Sequence, residues 1–301
     1  MDYSKQALGF LDQVKMLKSR GLIIIDDNLA IEYLKSISYF RIACYLRPME
    51  SDKVNHVYKE GSSLKNALSL YEFDTKLRNL VFNAIQHIEI AMRTKIIHYF
   101  SLASGPFWFM EKNCADNPRL FNNNLSHIDE ELGRSKEDFI KEHYQQYSNP
   151  TFPPAWKTLE VVSFGTLSKL YLNYSDKKAK KTIAREFGLP QHVFLESWMR
   201  SLAVLRNCCA HHARLWNRNF PLQPQIPQKL CGKWVNTSGL QLTKIYPQLC
   251  AISYLLNQFR NSCNFKNDLL NLLAQYSNID TNAMGFPRGW QNEPLWNSEN
   301  N

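Results

Sequence analysis

Residues 206–218 read Arg206, Asn207, Cys208, Cys209, Ala210, His211, His212, Ala213, Arg214, Leu215, Trp216, Asn217 and Arg218. Histidine titrates near neutrality and can take or give a proton, whereas arginine stays cationic and can grip phosphate oxygens in pairs. Asn207 can orient His211 or donate to a phosphate. On residue type alone, a helix-borne histidine can equally be structural or solvated, and that alternative stands beside the catalytic one. With Trp198 at zero on a helical wheel, Leu202, Leu205 and Cys209 cluster within about 40° of it, and Asn207 and His211 fall near 180° and 220°, away from the core. Arg206 lies about 140° around from His211 and about 7.5 Å along the axis. The two cannot converge on one straight helix. Either the helix ends near His211, or a second copy of the segment supplies the missing partner. His212, near 320°, turns toward the apolar side and is expected to be structural.

The rest of the composition narrows the chemistry. The 301 residues carry 36 Lys and Arg against 27 Asp and Glu, a formal net charge of +9, which suits a partner bearing phosphates. The phosphate loop G-x-x-x-x-G-K-[ST], the dinucleotide fingerprint G-x-G-x-x-G, the zinc motif H-E-x-x-H and the nucleophile elbow G-x-S-x-G are all missing, which disfavours nucleotide hydrolysis and zinc proteolysis. Asp129, Glu130 and Glu131 read as part of an irregular polar stretch rather than a two-metal site. The 7 cysteines lack a C-x-x-C pair and read as reduced thiols. No apolar run has membrane-spanning length and the N-terminus lacks leader character, so a cytoplasmic protein with no membrane partner is expected.

The elements that must position these residues are helical almost throughout, so the fold class is all-α. Leu8, Leu11, Val14 and Leu17 predict a helix over 4–20 closed by Gly21, and Asp26 to Asn28 can cap a second that runs to Pro48. Ser62 or Ser63 can cap a long helix reaching about Ser101, with Leu77, Val81, Ile85, Ile88 and Met92 on its apolar stripe. Arg78, Glu89 and Arg93 share one flank of that stripe, about 100° to 160° around from Leu77. They are candidate nucleic-acid contacts; the alternative is a solvated face with a Glu89–Arg93 ion pair. Residues 102–153 read as an irregular insertion with one short helix near 136–147. Pro154 opens a helix that Gly165 interrupts, and a basic run from Lys177 to Arg185 follows. Lys177 and Lys181 in that run, with Arg214 and Arg218, are further candidate backbone contacts, the alternative again being solvated surface. After three prolines at 221–227, helices are expected near 239–259, kinked or split by Pro247, and 266–276, with Trp290 and Trp296 anchoring the tail. The expected divisions are an N-terminal pair (1–50), a helical bundle (60–220) and C-terminal helices with a tail (221–301).

The spacing R-N-x-x-x-H over Arg206, Asn207 and His211 resembles the R-x(4 to 6)-H motif of the HEPN superfamily of α-helical ribonucleases. The chain is also similar, over most of its length, to the Abi-like family of bacterial abortive-infection proteins of the AbiD and AbiF type. The likeness is carried by Lys18, Arg20, Gly21, Leu22 and Ile24; by Tyr39, Phe40, Arg41 and Tyr45; by Tyr71, Asp74, Leu77 and Arg78; and by Ile88, Glu89 and Arg93. It continues through Pro154, Trp156 and Glu160, Ser163 to Gly165 with Leu167 and Ser168, Arg206 to Arg218, and Gly285, Phe286, Pro287 and Trp290. Cys208 and Cys209 depart from the pattern but are small and apolar enough to pack.

This resemblance implies a HEPN-like bundle, dimerisation through the motif helices, and an antiphage or toxin-like RNA endonuclease without metal or cofactor. Related domains form the nuclease of type VI CRISPR effectors, and some similar proteins associate with a small noncoding RNA. In such a reaction the 2′-hydroxyl attacks the adjacent phosphorus, a base accepts its proton, an acid protonates the leaving 5′-oxygen, and cations steady the phosphorane. Two His211 side chains from a homodimer can divide the two proton transfers. A non-catalytic RNA-binding or toxin-neutralising module is the main rival. A DNA-binding regulator is the weaker one, since Ile31, Tyr33, Leu34 and Ile37 look like packing residues rather than a recognition helix.

Overall fold

The computed structural model describes residue 2 and residues 6–297. The fold is all-α, relieved only by one short antiparallel hairpin among the described residues. The chain divides into two compact units, residues 1–77 with 272–279, and residues 78–271 with 280–301. This division differs from the expected three segments: the boundary runs through a long helix, and a C-terminal stretch joins the first unit.

In the first unit, α1 (Phe10–Ser19) is followed by α2 (Asp27–Ser36) and α3 (Tyr39–Leu46). Residues 4 and 5, where the first helix was expected to start, lie outside the described residues, and α1 begins after Gly9 at its N-cap. Asp26 caps α2 as expected, its side chain accepting the Leu29 N–H at 3.0 Å. The expected continuous second helix is broken at Ser38, whose φ of 35° leaves the helical region. The hairpin pairs β1 (Glu50–Asp52) with β2 (Val57–Tyr58) across the turn-rich interval, and is too short for a period-two signal. Ser63 caps the long helix α4 (Leu64–Ser104) by accepting the Asn66 N–H at 3.2 Å. Within this unit the Tyr45 hydroxyl donates to the fully buried Asp74 carboxylate at 2.7 Å.

The second unit takes α4 from Arg78 onward, then α5 (Pro118–Arg134), α6 (Asp138–Gln146), α7 (Ala155–Val161), α8 (Phe164–Asn173) and α9 (Lys177–Glu186). It continues with α10 (His192–Ala210), α11 (Tyr246–Leu256) and the start of α12 (Phe265–Gln275). The interval 102–153 is more regular than expected. Asn117 caps α5 by accepting the Arg119 and Leu120 N–H groups, Pro118 occupies the first turn, and Phe121, Asn124, Ile128 and Leu132 give a buried stripe. Polar composition hid that stripe: Asn122 and Asn123 directly precede the buried Asn124 in one helical turn. Asp129, Glu130 and Glu131 are therefore helical. The break expected at Gly165 falls instead at Val162 and Ser163, and Ser163 caps α8. Glu131 completes that cap, accepting the Ser163 N–H at 2.9 Å and the Thr166 hydroxyl at 3.1 Å. Pro247 does not split a helix but sits in the first turn of α11, where its missing N–H has no intrahelical partner to lose.

α10 is the centre of this unit, packing on α8, α9 and α11. Its stripe of Leu195, Trp198, Leu202, Leu205 and Cys209 is buried. The Trp198 indole N–H donates to the Gln225 carbonyl at 2.7 Å, tying the proline-rich stretch to the helix. Ser201 accepts from the buried Gln248 of α11 at 2.8 Å. Trp296, an expected anchor, is buried and donates to the Tyr246 hydroxyl at 3.0 Å; Trp290 packs edge-on against it.

Candidate active site

The helix carrying Arg206 and Asn207 ends at His211. His211 is the C-cap of α10 and His212 follows with φ 55°. The His212 N–H donates to the Cys209 carbonyl at 3.0 Å and the Ala213 N–H to the Cys208 carbonyl at 2.8 Å. These two bonds form a Schellman closure, with histidine in the left-handed position that glycine usually holds. Of the two arrangements left open by the wheel, the first is present to the extent that the helix ends at His211. The same closure corrects the expectation for His212: the wheel placing it on the apolar side applies only to a continuing helix, and His212 is exposed. Asn207 and His211 are exposed as expected, and the buried Cys208 and Cys209 pack inward.

Arg206 sits between these groups and α4. Its Nη1 lies 3.5 Å from Asn207 Oδ1, its Nε 3.8 Å from Glu89 Oε2, and its guanidinium 5.6 Å from the centre of the Phe82 ring. Glu89 Oε1 in turn accepts from Arg93 Nη2 at 2.7 Å, and Arg93 Nη1 donates to the Leu159 carbonyl and, at 2.9 Å, to that of Val162. The structure thus brings Glu89 and Arg93 to the motif arginine, but from inside. Arg78 and Arg93 are 4% and 7% exposed, so these two guanidinium groups do not face solvent; of the alternative reading, the Glu89–Arg93 ion pair is present but the solvated face is not. Arg93 is a strut between α4 and the end of α7, and Glu89 passes its hold on to Arg206. A helical flank looks polar in sequence whether it is wetted or internally paired, so only the partners at 159 and 162 separate the two.

The basic run divides in the same way. Lys177 and Lys181 are exposed on α9, whereas Lys180 is buried, pairs with Glu196, and donates to the Leu172 carbonyl at 2.9 Å. Beyond α10, Arg214 and Arg218 are half-buried. Arg214 Nη2 reaches the Asn217 carbonyl at 3.4 Å, and Lys244, which sequence reasoning passed over, donates to Asn217 Oδ1 at 2.9 Å. Nothing in the local sequence around Lys244 announces that role, because its partner lies 27 residues away. Burial lowers the Lys244 pKa, and the positive charge of Arg214 lowers it further. At Cys208 burial raises the thiol pKa while Arg218 opposes the shift.

All seven cysteines are free thiols. No cluster of three or more His, Cys, Asp or Glu with metal-holding geometry occurs among the described residues, and no helix there is long and apolar enough to cross a membrane. At the end of α10 the exposed Asn207 and His211 offer a carboxamide and an imidazole to solvent, and Arg206 a guanidinium only partly exposed. A family model described as Abi-like protein matches residues 32–217, more than half of the chain. No curated protein and no solved structure matches it.

Proposed function

The chain belongs to the Abi-like family, and on that premise we propose that it is an abortive-infection, antiphage RNA endonuclease of the HEPN type. The observation that carries this reading is the end of α10, where an exposed histidine closes the helix and the arginine five residues earlier is paired with Glu89. His211 serves as general acid or base, since imidazole exchanges protons near neutral pH. Arg206 steadies the charge that grows on the phosphorane, and its Glu89–Arg93 support keeps that guanidinium in one place before substrate arrives. Glu89 and Arg93 are positioning residues in this reading and do not touch RNA. Asn207 donates to phosphate or orients His211. Arg214, Arg218, Lys177 and Lys181 contact the backbone.

Attack by the ribose 2′-hydroxyl breaks the P–O5′ bond and leaves a 2′,3′-cyclic phosphate and a 5′-hydroxyl. One proton leaves the 2′-oxygen and one reaches the 5′-oxygen. A single imidazole does not perform both transfers at once, so the reading pairs two His211 side chains across a homodimer. The imidazole and guanidinium supply every charge the reaction needs, so cleavage proceeds in excess chelator. DNA, lacking the nucleophile, survives.

Labelled RNA and DNA of one sequence, incubated with the protein in excess chelator, test this proposal. RNA cut to cyclic-phosphate ends with DNA intact is the expected result. Binding without cleavage would favour the RNA-binding module, and a preference for duplex DNA the regulator. Mixing wild type with His211→Ala subunits tests the shared site: activity should follow the square of the wild-type fraction, and a linear response would contradict a site built from both copies.

A further inference from the structure

The second unit holds a cavity of about 350 Å³, formed where the end of α11 meets the start of α12; no described residue of α10 lines it. On the α11 side it is lined by Ser253, Leu256 and the C-cap residue Asn257, whose spacing of three and four residues puts them on one face of the helix. Ser253 is 3% exposed, and its hydroxyl has no hydrogen-bond partner among the described residues. A buried hydroxyl left so costs free energy that a bound polar group would recover. On the α12 side, Lys266 and Asn267 occupy the first turn. The first intrahelical bond runs from the Asp268 N–H to the Asn264 carbonyl at 3.1 Å, so the N–H groups of Lys266 and Asn267 stand ahead of it, at the positive end of the helix dipole. A cation is disfavoured at that end. Lys266 is nevertheless there, half-buried, and its ammonium donates to one neutral acceptor, the Asn297 carbonyl, at 2.9 Å. Among the described residues no carboxylate comes within ion-pair distance of Lys266. Asp268, the acidic residue of the same turn, lies about 200° around the helix from it and is not part of the cavity wall. Burial lowers the Lys266 pKa, and the positive charge of Lys233, on the same wall, lowers it further.

An anion at the first turn of α12 answers these features together, since it accepts from the ammonium and from the free N–H groups and is favoured by the dipole that disfavours lysine alone. A bare phosphate would not fill the space, which has the size of a small-molecule site. Leu256 and Leu295 give it an apolar wall. The Asn267 side-chain amide donates to Asn264 Oδ1 at 2.9 Å, which leaves the Asn264 amide hydrogens as donors and Asn267 Oδ1 as an acceptor beside that wall. An apolar surface rimmed by such groups suits a flat heterocycle with a polar edge. We infer that this cavity binds the phosphomonoester of a single nucleoside, its phosphate on Lys266 and the first turn of α12 and its nucleoside between the leucines and the carboxamides, within reach of Ser253. The inference does not depend on the nuclease reading. The same chemical group occurs in a free mononucleotide and at the 5′ end of a strand.

Calorimetric titration of the full chain with adenosine monophosphate, adenosine and inorganic phosphate tests the site. Adenosine monophosphate should bind, and adenosine and inorganic phosphate should each bind at least about 10-fold more weakly, because each makes only part of the contacts. Lys266→Gln should weaken adenosine monophosphate about 10- to 100-fold, the usual effect of losing a hydrogen bond between charged partners. Lys266→Arg should keep most of the affinity. Ser253→Ala should weaken binding about 2- to 5-fold with the melting temperature unchanged, since the hydroxyl has no partner in the protein to lose. Lys53→Gln, at an exposed lysine of the first unit, should change nothing. No binding of adenosine monophosphate at millimolar concentration, or equal binding by wild type and Lys266→Gln, would overturn the site. Inorganic phosphate binding as tightly as the nucleotide would overturn it too. In the unmutated protein, lysine acetylation read by mass spectrometry asks the same question: adenosine monophosphate should shield Lys266 and leave Lys53 reactive, and equal labelling of Lys266 with and without it would contradict the proposal. A 5′-phosphorylated DNA tetranucleotide identifies the source. Binding as tight as that of adenosine monophosphate assigns the site to a strand end, and weaker binding to a free mononucleotide; either result keeps the site.

Discussion

Two polar regions flank the motif arginine, and they are opposite in construction. On α4, Glu89 and Arg93 close on each other and on the 159 and 162 carbonyls, so their charges are cancelled inside the protein. Beyond α10, among the described residues no carboxylate comes within ion-pair distance of Arg218 or Lys244, and the Lys244 ammonium is held instead by the neutral Asn217 carboxamide. The first region is closed by ion pairing, and the second is held by neutral amide groups. A charge that is already satisfied internally has nothing left for a ligand.

The sharpest way to break this contrast is to remove the strut. Arg93→Ala strands Glu89 beside Arg206 and leaves two carbonyls without donors, and loss of one partner from a buried pair costs about 3 to 5 kcal/mol. Chemical denaturation should show a loss of that order, and a change under about 1 kcal/mol would mean the pair is solvated after all. Glu131 offers a smaller test on a helix cap. Glu131→Ala removes the acceptor for the Ser163 N–H and the Thr166 hydroxyl, and should lower stability by about 1 to 2 kcal/mol. At the end of α10, His212 holds a left-handed position that suits glycine. His212→Gly should therefore be more stable than His212→Val by about 1 to 2 kcal/mol. Equal melting of the two variants would argue against the Schellman closure.

The smallest expected effect is on pH. Burial lowers the pKa of both His143 and His192; Lys157 lowers the first further, while Glu196 partly offsets the second. The unfolded chain, with histidines near about 6.5, then binds more protons than the folded one. Stability should fall as pH drops below that value, and replacing both histidines by glutamine should flatten the slope between about pH 6.5 and 5. An unaltered slope would assign the acid sensitivity to carboxylates.

Much of this was legible in the sequence. Period and caps announced the all-α class, the Ser63 cap of α4, the Trp198 stripe of α10 and the tryptophan anchors, because those depend on local spacing. The stop at His211 stood as one of two readings because no glycine marks it; histidine in the glycine position conceals the closure. α5 was concealed by its asparagines, and Ser38 by the absence of any breaker beside it. Arg93 and Lys244 escaped for a different reason. Their partners, the carbonyls at 159 and 162 and the carboxamide at 217, are distant in sequence, and a pattern within one helix cannot tell a strut from a ligand contact.

Single-turnover cleavage of RNA by His211→Ala, in excess chelator and beside a melting curve that certifies the fold, meets the account at its centre. A rate about 10²- to 10⁴-fold below wild type, with the melt unchanged, is the predicted result. Cleavage at the wild-type rate by that variant would contradict it.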